Sequence, residues 1–428
     1  MTRIYYRLNS SNKCKGSVNQ IIIDMTSKSQ EQSISPKRVL LPAGLGTTFS
    51  LLGDSALYTV LPTHTIEAGI ELNQVGIILS INRFVRLLLN SVAGVAYDHS
   101  PRRRLFLASL LIGVISTVFY AVSQGFWSLF LGRILWGLAW SGIWVGGSTI
   151  ILDITHYENR GRWTGYYQIW FYLGGVLGAV ISGVATDWLG YTPMLWIAAA
   201  LGMMGWLVSF IFLPETRHDQ KEEFSSQHRN NNTNYLSNPT VLLAAFLHGS
   251  NRFASAGVLS ATFALLVQDY IINTDVVLGV ATLTGLLSGF RMIVSMTASP
   301  LVGILSDRVG NRWMTILVML LLCGVSMVLI VEESWLLFFM GIILASMTTG
   351  GLQTLTTAVV GDEVSSAQRG KAISILYTSG DLGSALGPIV AYALLPTIGL
   401  RGVYWICTGL FFIGMPITLW QARTKLVQ

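Results

Sequence analysis

Six ionisable residues of this chain, Asp54, Arg83, Arg86, Arg133, Arg291 and Asp381, stand inside long apolar runs. A carboxylate or guanidinium in hydrocarbon is costly, so such groups are functional candidates by default and need partners. Asp54 is eight residues inside Pro62 and Arg133 eight inside Gly125. At 1.5 Å per residue each lies ~12 Å deep. Equal depth permits an ion pair in which Asp54 takes up a proton when substrate or the opposite conformation displaces Arg133. The plainer reading is that the pair only ties its two helices together. Arg83 and Arg86 are three apart and share a helical face. In this central set Arg outnumbers Asp, which favours an anionic or proton-exchanged substrate, although long Arg side chains can also snorkel away.

Other chemistry is missing from the pattern. There is no Gly-rich phosphate loop, no nucleophile elbow and no His/Glu cluster, so an enzyme, an ATP-driven pump, a metal centre and a cofactor are all unexpected. Cys14, Cys323 and Cys407 are scattered, without disulfide or zinc spacing. His248 and Arg252, one turn apart, read as the solvated end of a helix. Asn231-Asn-Thr233 matches a glycosylation acceptor but falls on the predicted inner side. Trp136, Trp140, Trp144, Tyr166, Tyr167, Trp170 and Tyr172 read first as packing or interface residues and second as the lining of a cavity.

The elements that must position these groups follow from hydropathy. Of 428 residues, 52% are apolar and 11% charged, and the mean hydropathy is +0.57. A water-exposed surface needs more charge, so the outer surface is expected to face a lipid bilayer. Apolar runs of membrane-spanning length predict an all-α membrane protein of 12 transmembrane helices. They lie near 39–62, 73–97, 103–122, 126–152, 163–186, 192–214, 241–269, 277–305, 314–331, 335–361, 370–395 and 402–420. The implied domains are a disordered cytoplasmic tail (1–38), a six-helix bundle (39–214), a polar cytoplasmic linker (215–240), a second six-helix bundle (241–422) and a short tail (423–428). The first 38 residues lack the apolar core of a signal peptide, and Met25 serves as well as Met1 for a start.

Lys and Arg then orient the chain. They crowd the tail, the even-numbered loops, where Arg102, Arg103, Arg104, Arg160, Arg162, Arg308, Arg312 and Arg369 stand, and the linker. The opposite loops hold only Arg401, and carry Glu67, Glu71, Asp187, Asp275, Glu332 and Glu333. Both termini are therefore predicted to be cytoplasmic. The net charge of +6 is orientation chemistry, and no nucleic-acid partner is implied.

A shift of 209 residues lays Gly76 on Gly285, Gly94 on Gly303, Asp98 on Asp307, Gly132 on Gly341, Asp153 on Asp362, Gly174 on Gly383, Gly178 on Gly387, Gly190 on Gly399 and Trp196 on Trp405. One unbroken register over more than a hundred residues predicts an internal duplication, two pseudo-symmetric six-helix bundles with a site between them near the midplane.

The loops carry a matching pair of motifs. Gly94-Val-Ala-Tyr-Asp98-His-Ser-Pro-Arg102-Arg103-Arg104 follows the second span, and Gly303-Ile-Leu-Ser-Asp307-Arg308-Val-Gly310-Asn-Arg312 follows the eighth. Both resemble the G-x-x-x-D-R-x-G-R-R loop of the major facilitator superfamily, with His99 and Pro101 departing from it in the first copy. Locally, the glycines are expected to allow close helix approach and the aspartates to accept hydrogen bonds at helix ends. The resemblance implies that these loops latch one conformation and bind no substrate. Leu131-Gly-Arg133-Ile-Leu-Trp-Gly137 in the fourth span and Gly53-Asp54 through Pro62 in the first are similar to the drug/proton antiporter branch. So is Gly383-Ser-Ala-Leu-Gly387-Pro388 in the eleventh, whereas Gly174-Gly-Val-Leu-Gly178 lacks the proline. The family fold sets the second span against the eleventh, so Asp381 is expected to pair with Arg83 or Arg86 across the bundles.

The expected protein is a monomeric secondary active transporter in the cell membrane, exporting a small organic solute by alternating access in exchange for protons. Uptake by symport or facilitated diffusion, a membrane solute sensor and an integral membrane enzyme are the alternatives.

Overall fold

The computed structural model describes residues 35–122, 125–155, 160–217, 238–272, 278–363 and 369–424. Most of the expected tail, most of the linker with Asn231–Thr233, and Cys14, Asp275 and Lys425 lie outside the described residues. Regular structure among the described residues is entirely helical. The first six helices are α1 (Pro36–Val60), α2 (Leu72–His99), α3 (Arg102–Val122), α4 (Phe126–Asp153), α5 (Arg160–Leu189) and α6 (Tyr191–Phe212). In α7, Pro239–Arg252 runs into a π-helical segment, Phe253–Leu259, and then Ser260–Ile272. After it come α8 (Val280–Val309), α9 (Arg312–Leu329) and α10 (Trp335–Glu363). The segment Arg369–Thr424 is broken at Gly399, with φ 65° and ψ 179°, into α11 (369–398) and α12 (400–424).

Ten of the described helical segments are long and apolar enough to cross a membrane, and one of them, Ala372–Arg423, holds both α11 and α12. The helix α1 is not among them, for a local reason. Gly44, Gly46, Thr47, Thr48, Ser50 and Gly53 lower its hydropathy, and all are buried against neighbouring helices. Small side chains let helices touch backbone to backbone, the form of attraction available where lipid removes the hydrophobic drive. A Cβ at Gly174 would stand 2.8 Å from the Thr48 carbonyl oxygen, and one at Gly178 would press on Leu52 and Ser55.

The 209-residue register is visible in three dimensions. The α4 span Phe126–Asp153 falls on Trp335–Glu363, and α2 and α3 fall on α8 and α9 within two residues at their ends. Gly190, with φ 94° and ψ 170°, turns the corner between α5 and α6, as Gly399 does between α11 and α12. Positive φ is a conformation only glycine adopts without strain. The seam between the lobes repeats as well. In one contact a Cβ at Gly76 of α2 would lie 2.6 Å from the Pro388 carbonyl oxygen of α11. In the other, a Cβ at Gly285 of α8 would clash with the carbonyl oxygen of Ala179 on α5, the residue 209 before Pro388.

The lobes meet through α2–α11 and α5–α8. Three hydrogen bonds between described residues cross the seam: Thr282 to Asp187 at the helix ends on the acidic face, and Arg83 to Ser384 and Arg86 to Asp381 near mid-helix. Beyond them, towards the face bearing the loop motifs, α2 exposes Leu88, Val92 and Val95. The structure is thus closed at the acidic face and parted at the basic one.

Candidate functional site

Asp54 on α1 and Arg133 on α4 form an ion pair. The guanidinium is completely buried, whereas the carboxylate side chain keeps 21% exposure. Arg133 also donates from Nε to the Ile78 carbonyl of α2 at 3.2 Å, and its Cζ lies 5.4 Å from the centre of the Tyr58 ring. One of its terminal nitrogens has no partner. A buried cation is thereby held by a backbone carbonyl, an aromatic face and one carboxylate, and the carboxylate is the member left partly exposed.

Tyr58 links this pair to the seam. Its hydroxyl donates to the Leu79 carbonyl at 2.9 Å and accepts from Arg83 Nε at 3.0 Å. Arg83 Cζ lies over the same ring, 5.3 Å from its centre, so one tyrosine carries an arginine on either side. Arg83 reaches across the lobes to the Ser384 carbonyl at 3.2 Å. Arg86 stands 3.4 Å from Asp381, which decides between the two arginines that shared a helical face.

Arg291 on α8 pairs with no described carboxylate. Its Cζ lies 4.6 Å from the centre of the Phe263 ring, and its Nε is buried without a hydrogen-bond partner.

His248 and Arg252 correct the reading of a solvated helix end. His248 is 2% exposed, with Nδ1 3.1 Å from Thr356 Oγ1 of α10. Its ring meets Tyr377 of α11 edge-on. Their spacing of four was the available signal, since it sets both on one face of the helix.

The loop motifs hold each lobe's end at the basic face. Arg102 pairs with Asp153 at 3.1 Å, and Arg312 pairs with Asp307 at 3.0 Å and with Asp362. The two α-helix starts are capped differently. Asn311 Oδ1 accepts from the amides of Trp313 and Met314. In the first lobe that position is Arg102, and the cap comes instead from Glu215, whose oxygens accept from the amides of Arg102 and Arg103 at 2.9 and 3.2 Å. Arg103 donates to the Phe210 carbonyl. Asp98 is exposed, and Gly310 takes the left-handed turn, φ 73°, after α8. Arg308, at the last turn of α8, is also exposed.

Gly94 and Gly303 correct another expectation. A Cβ at Gly94 would meet nothing within 4 Å, and one at Gly303 only a Thr354 methyl at 3.6 Å. Neither glycine serves close helix approach here, because the face on which they lie is the parted one.

The tryptophan ladder is core. Trp136 and Trp140 are 2% and 5% exposed and stack with Trp144 and Phe171. Tyr167 is buried with its hydroxyl 2.9 Å from Thr47 Oγ1.

Asp187 is a residue whose importance the sequence hid. From the end of α5 it accepts a 2.7 Å hydrogen bond from the amide of Thr282, in the first turn of α8. It is an N-terminal helix cap supplied by the opposite lobe, where a carboxylate is favoured by the helix dipole.

The Major Facilitator Superfamily model matches residues 43–270 and 241–426. The multidrug resistance protein MdtG of Escherichia fergusonii is 23% identical over 400 residues, spanning 91% of this chain and 96% of that protein. MdtG of Citrobacter koseri is 23% identical over 385 residues, 88% of this chain and 93% of its own. Among solved structures, a bacterial homolog of the human lysosomal transporter Spinster, inward-facing and occupied, has a TM-score of 0.76 at 16% identity. The alignment covers 90% of this chain and 96% of that one. The nucleoside transporter NupG has a TM-score of 0.72 at 14% identity, covering 90% and 98%.

Proposed function

The chain belongs to the Major Facilitator Superfamily, as a multi-pass membrane transporter and not an enzyme, and from that premise we propose that it exports a small organic solute in exchange for protons. The observation that carries this reading is the Asp54–Arg133 pair, a partly exposed carboxylate set against a fully buried guanidinium. Protonation of Asp54 removes the only anion facing Arg133 among the described residues, so loading a proton changes the charge of the first lobe's interior. The similarity to proteins named for multidrug resistance supports export of organic molecules. The basic loops support cytoplasmic termini, which makes the parted face the cytoplasmic one.

The lobes then rock about the midplane. With the acidic face closed, Arg86–Asp381, Arg83–Ser384 and Asp187–Thr282 are made. Opening that face separates α2 from α11 and α5 from α8, so all three are contacts that distinguish the two states. A ligand shifts such an equilibrium only by its differential affinity for the states, and proton and substrate supply that difference from either side of Tyr58.

Proteoliposomes test the proposal directly. An imposed pH gradient is expected to drive net flux of a substrate found by panel screening, and collapse of the gradient is expected to stop it. Flux indifferent to the gradient replaces exchange by facilitated diffusion. For the seam, neutralising Arg86 or Asp381 alone is expected to lower flux roughly tenfold, as for a partly buried pair broken on one side. The exchanged double variant, Arg86→Asp with Asp381→Arg, is expected to recover most of it. If the double variant is no better than either single one, the pairing has no part in the cycle.

A further inference from the structure

The duplication allows the two lobes to be compared residue by residue at the depth of the proton pair. The 209-residue register places Phe263 where the first lobe has Asp54, and Ile342 where it has Arg133. The second lobe therefore has no counterpart of the acid–arginine pair. It has instead an arginine of its own at a new position: Arg291 of α8, which answers to Asn82 of α2. The guanidinium of Arg291 rests on the ring of Phe263, so the side chain that replaced the acid now forms the floor beneath a cation.

This cation is not neutralised. The three central arginines of the first lobe each have a carboxylate, hydroxyl or carbonyl partner: Asp54 and Ile78 for Arg133, Tyr58 and Ser384 for Arg83, Asp381 for Arg86. Arg291 has none among the described residues, and its Nε is buried and unpaired. Phe263 is 1% exposed and holds one face of the guanidinium, while Arg291 itself is half-buried. The next residue, Met292, lies against Gly175 of the first lobe, which sets the site beside the seam. An aromatic face offsets part of the cost of holding a cation away from water but satisfies none of its N–H groups. A planar fork of donors with its edge unoccupied matches a carboxylate, which it can accept through two parallel hydrogen bonds.

We infer that Arg291, seated on Phe263, is the anion-recognition site of the substrate, and that the substrate class is organic carboxylates. This deepens the transport reading and rests on it. The lobes divide the work: the first handles the proton through Asp54, and the second holds the anion through Arg291.

The experiment is equilibrium binding by the full chain in lipid nanodiscs, with no gradient, so that its outcome is independent of direction and proton coupling. Thermal unfolding is followed while benzoate, 1-naphthoate and hexanoate are titrated, each against its uncharged amide. At least one acid is expected to raise the midpoint saturably, with at least tenfold preference over its amide. Arg291→Gln should remove that preference, and Arg291→Lys, which keeps the charge but not the fork, should retain it at reduced affinity. Phe263→Leu should weaken acid binding severalfold while keeping the preference. The inference is overturned if no acid binds, if acid and amide bind alike, or if Arg291→Gln binds the acid as wild type does. Loss of binding in both Arg291→Gln and Arg291→Lys would overturn it too, since a retained charge must retain some affinity. Gradient-driven flux that survives any of these results would leave the exchange mechanism standing without this site.

Discussion

Asp54→Asn is expected to abolish proton-driven transport while leaving the protein folded. Asparagine has the shape of the protonated acid and cannot release a proton, so the first lobe is fixed in its loaded form. Gradient-driven flux should fall by about two orders of magnitude, the scale on which removal of a positioned proton-transfer group is felt. Substrate exchange at equal pH on both sides does not require proton release and should stay within a few-fold of wild type. The substitution leaves Arg133 without its carboxylate, and an unpaired buried charge costs on the order of 3–5 kcal/mol. The hydrogen bond to Ile78 and the Tyr58 ring remain, so a lowered unfolding midpoint without loss of the folded state is expected. Undiminished gradient-driven flux in the variant would take Asp54 out of the coupling role.

The second large effect is expected at the glycine seam. Gly76 and Gly285 press on the carbonyls of Pro388 and Ala179, and carbonyls of packed helices cannot move aside as a flexible side chain can. A leucine at either position fits only when the lobes part at the acidic face. Overpacking costs about 1–3 kcal/mol per site, so Gly76→Leu with Gly285→Leu shifts the balance of states by roughly thirtyfold or more. Spin labels at Glu67 and Glu332, one on each lobe's exposed outer loop, should report a longer distance in the double variant than in wild type. Flux should fall in parallel, because the cycle cannot leave the state open at the acidic face. An unchanged distance distribution together with wild-type flux would show that the seam tolerates the side chains and is not the closing surface.

The sequence made some of this arrangement legible for physical reasons. Charges in apolar runs are rare enough that Asp54 and Arg133 were conspicuous, and a helix rises by a constant amount per residue, so equal depth could be counted. The duplication was legible because glycines at backbone contacts leave no freedom: Gly76, Gly285, Gly190 and Gly399 each occupy a place where a side chain would clash or strain. What stayed hidden depends on three-dimensional neighbours or on conformational state. Asp187 looked like one more outer-face acid, because the amide it caps is 95 residues away in the other lobe. His248 looked solvated because it lies near one end of its span, whereas its burial comes from α10 and α11, which bring Thr356 and Tyr377 against the ring. Gly94 looked like a packing glycine, and a Cβ there would meet nothing within 4 Å. Arg83 and Arg86 were indistinguishable by spacing alone, and only the offset of α11 assigned Asp381 to Arg86.

Glu215 gives the connection between the lobes a mechanical character. Its carboxylate is fastened to the amides at the start of α3, and also accepts from those of Thr216 and Arg217, while Arg102 beside it is tied to Asp153. The chain leaving α6 is therefore pinned to the start of α3, and through Arg102 and Asp153 to the foot of the helix that carries Arg133.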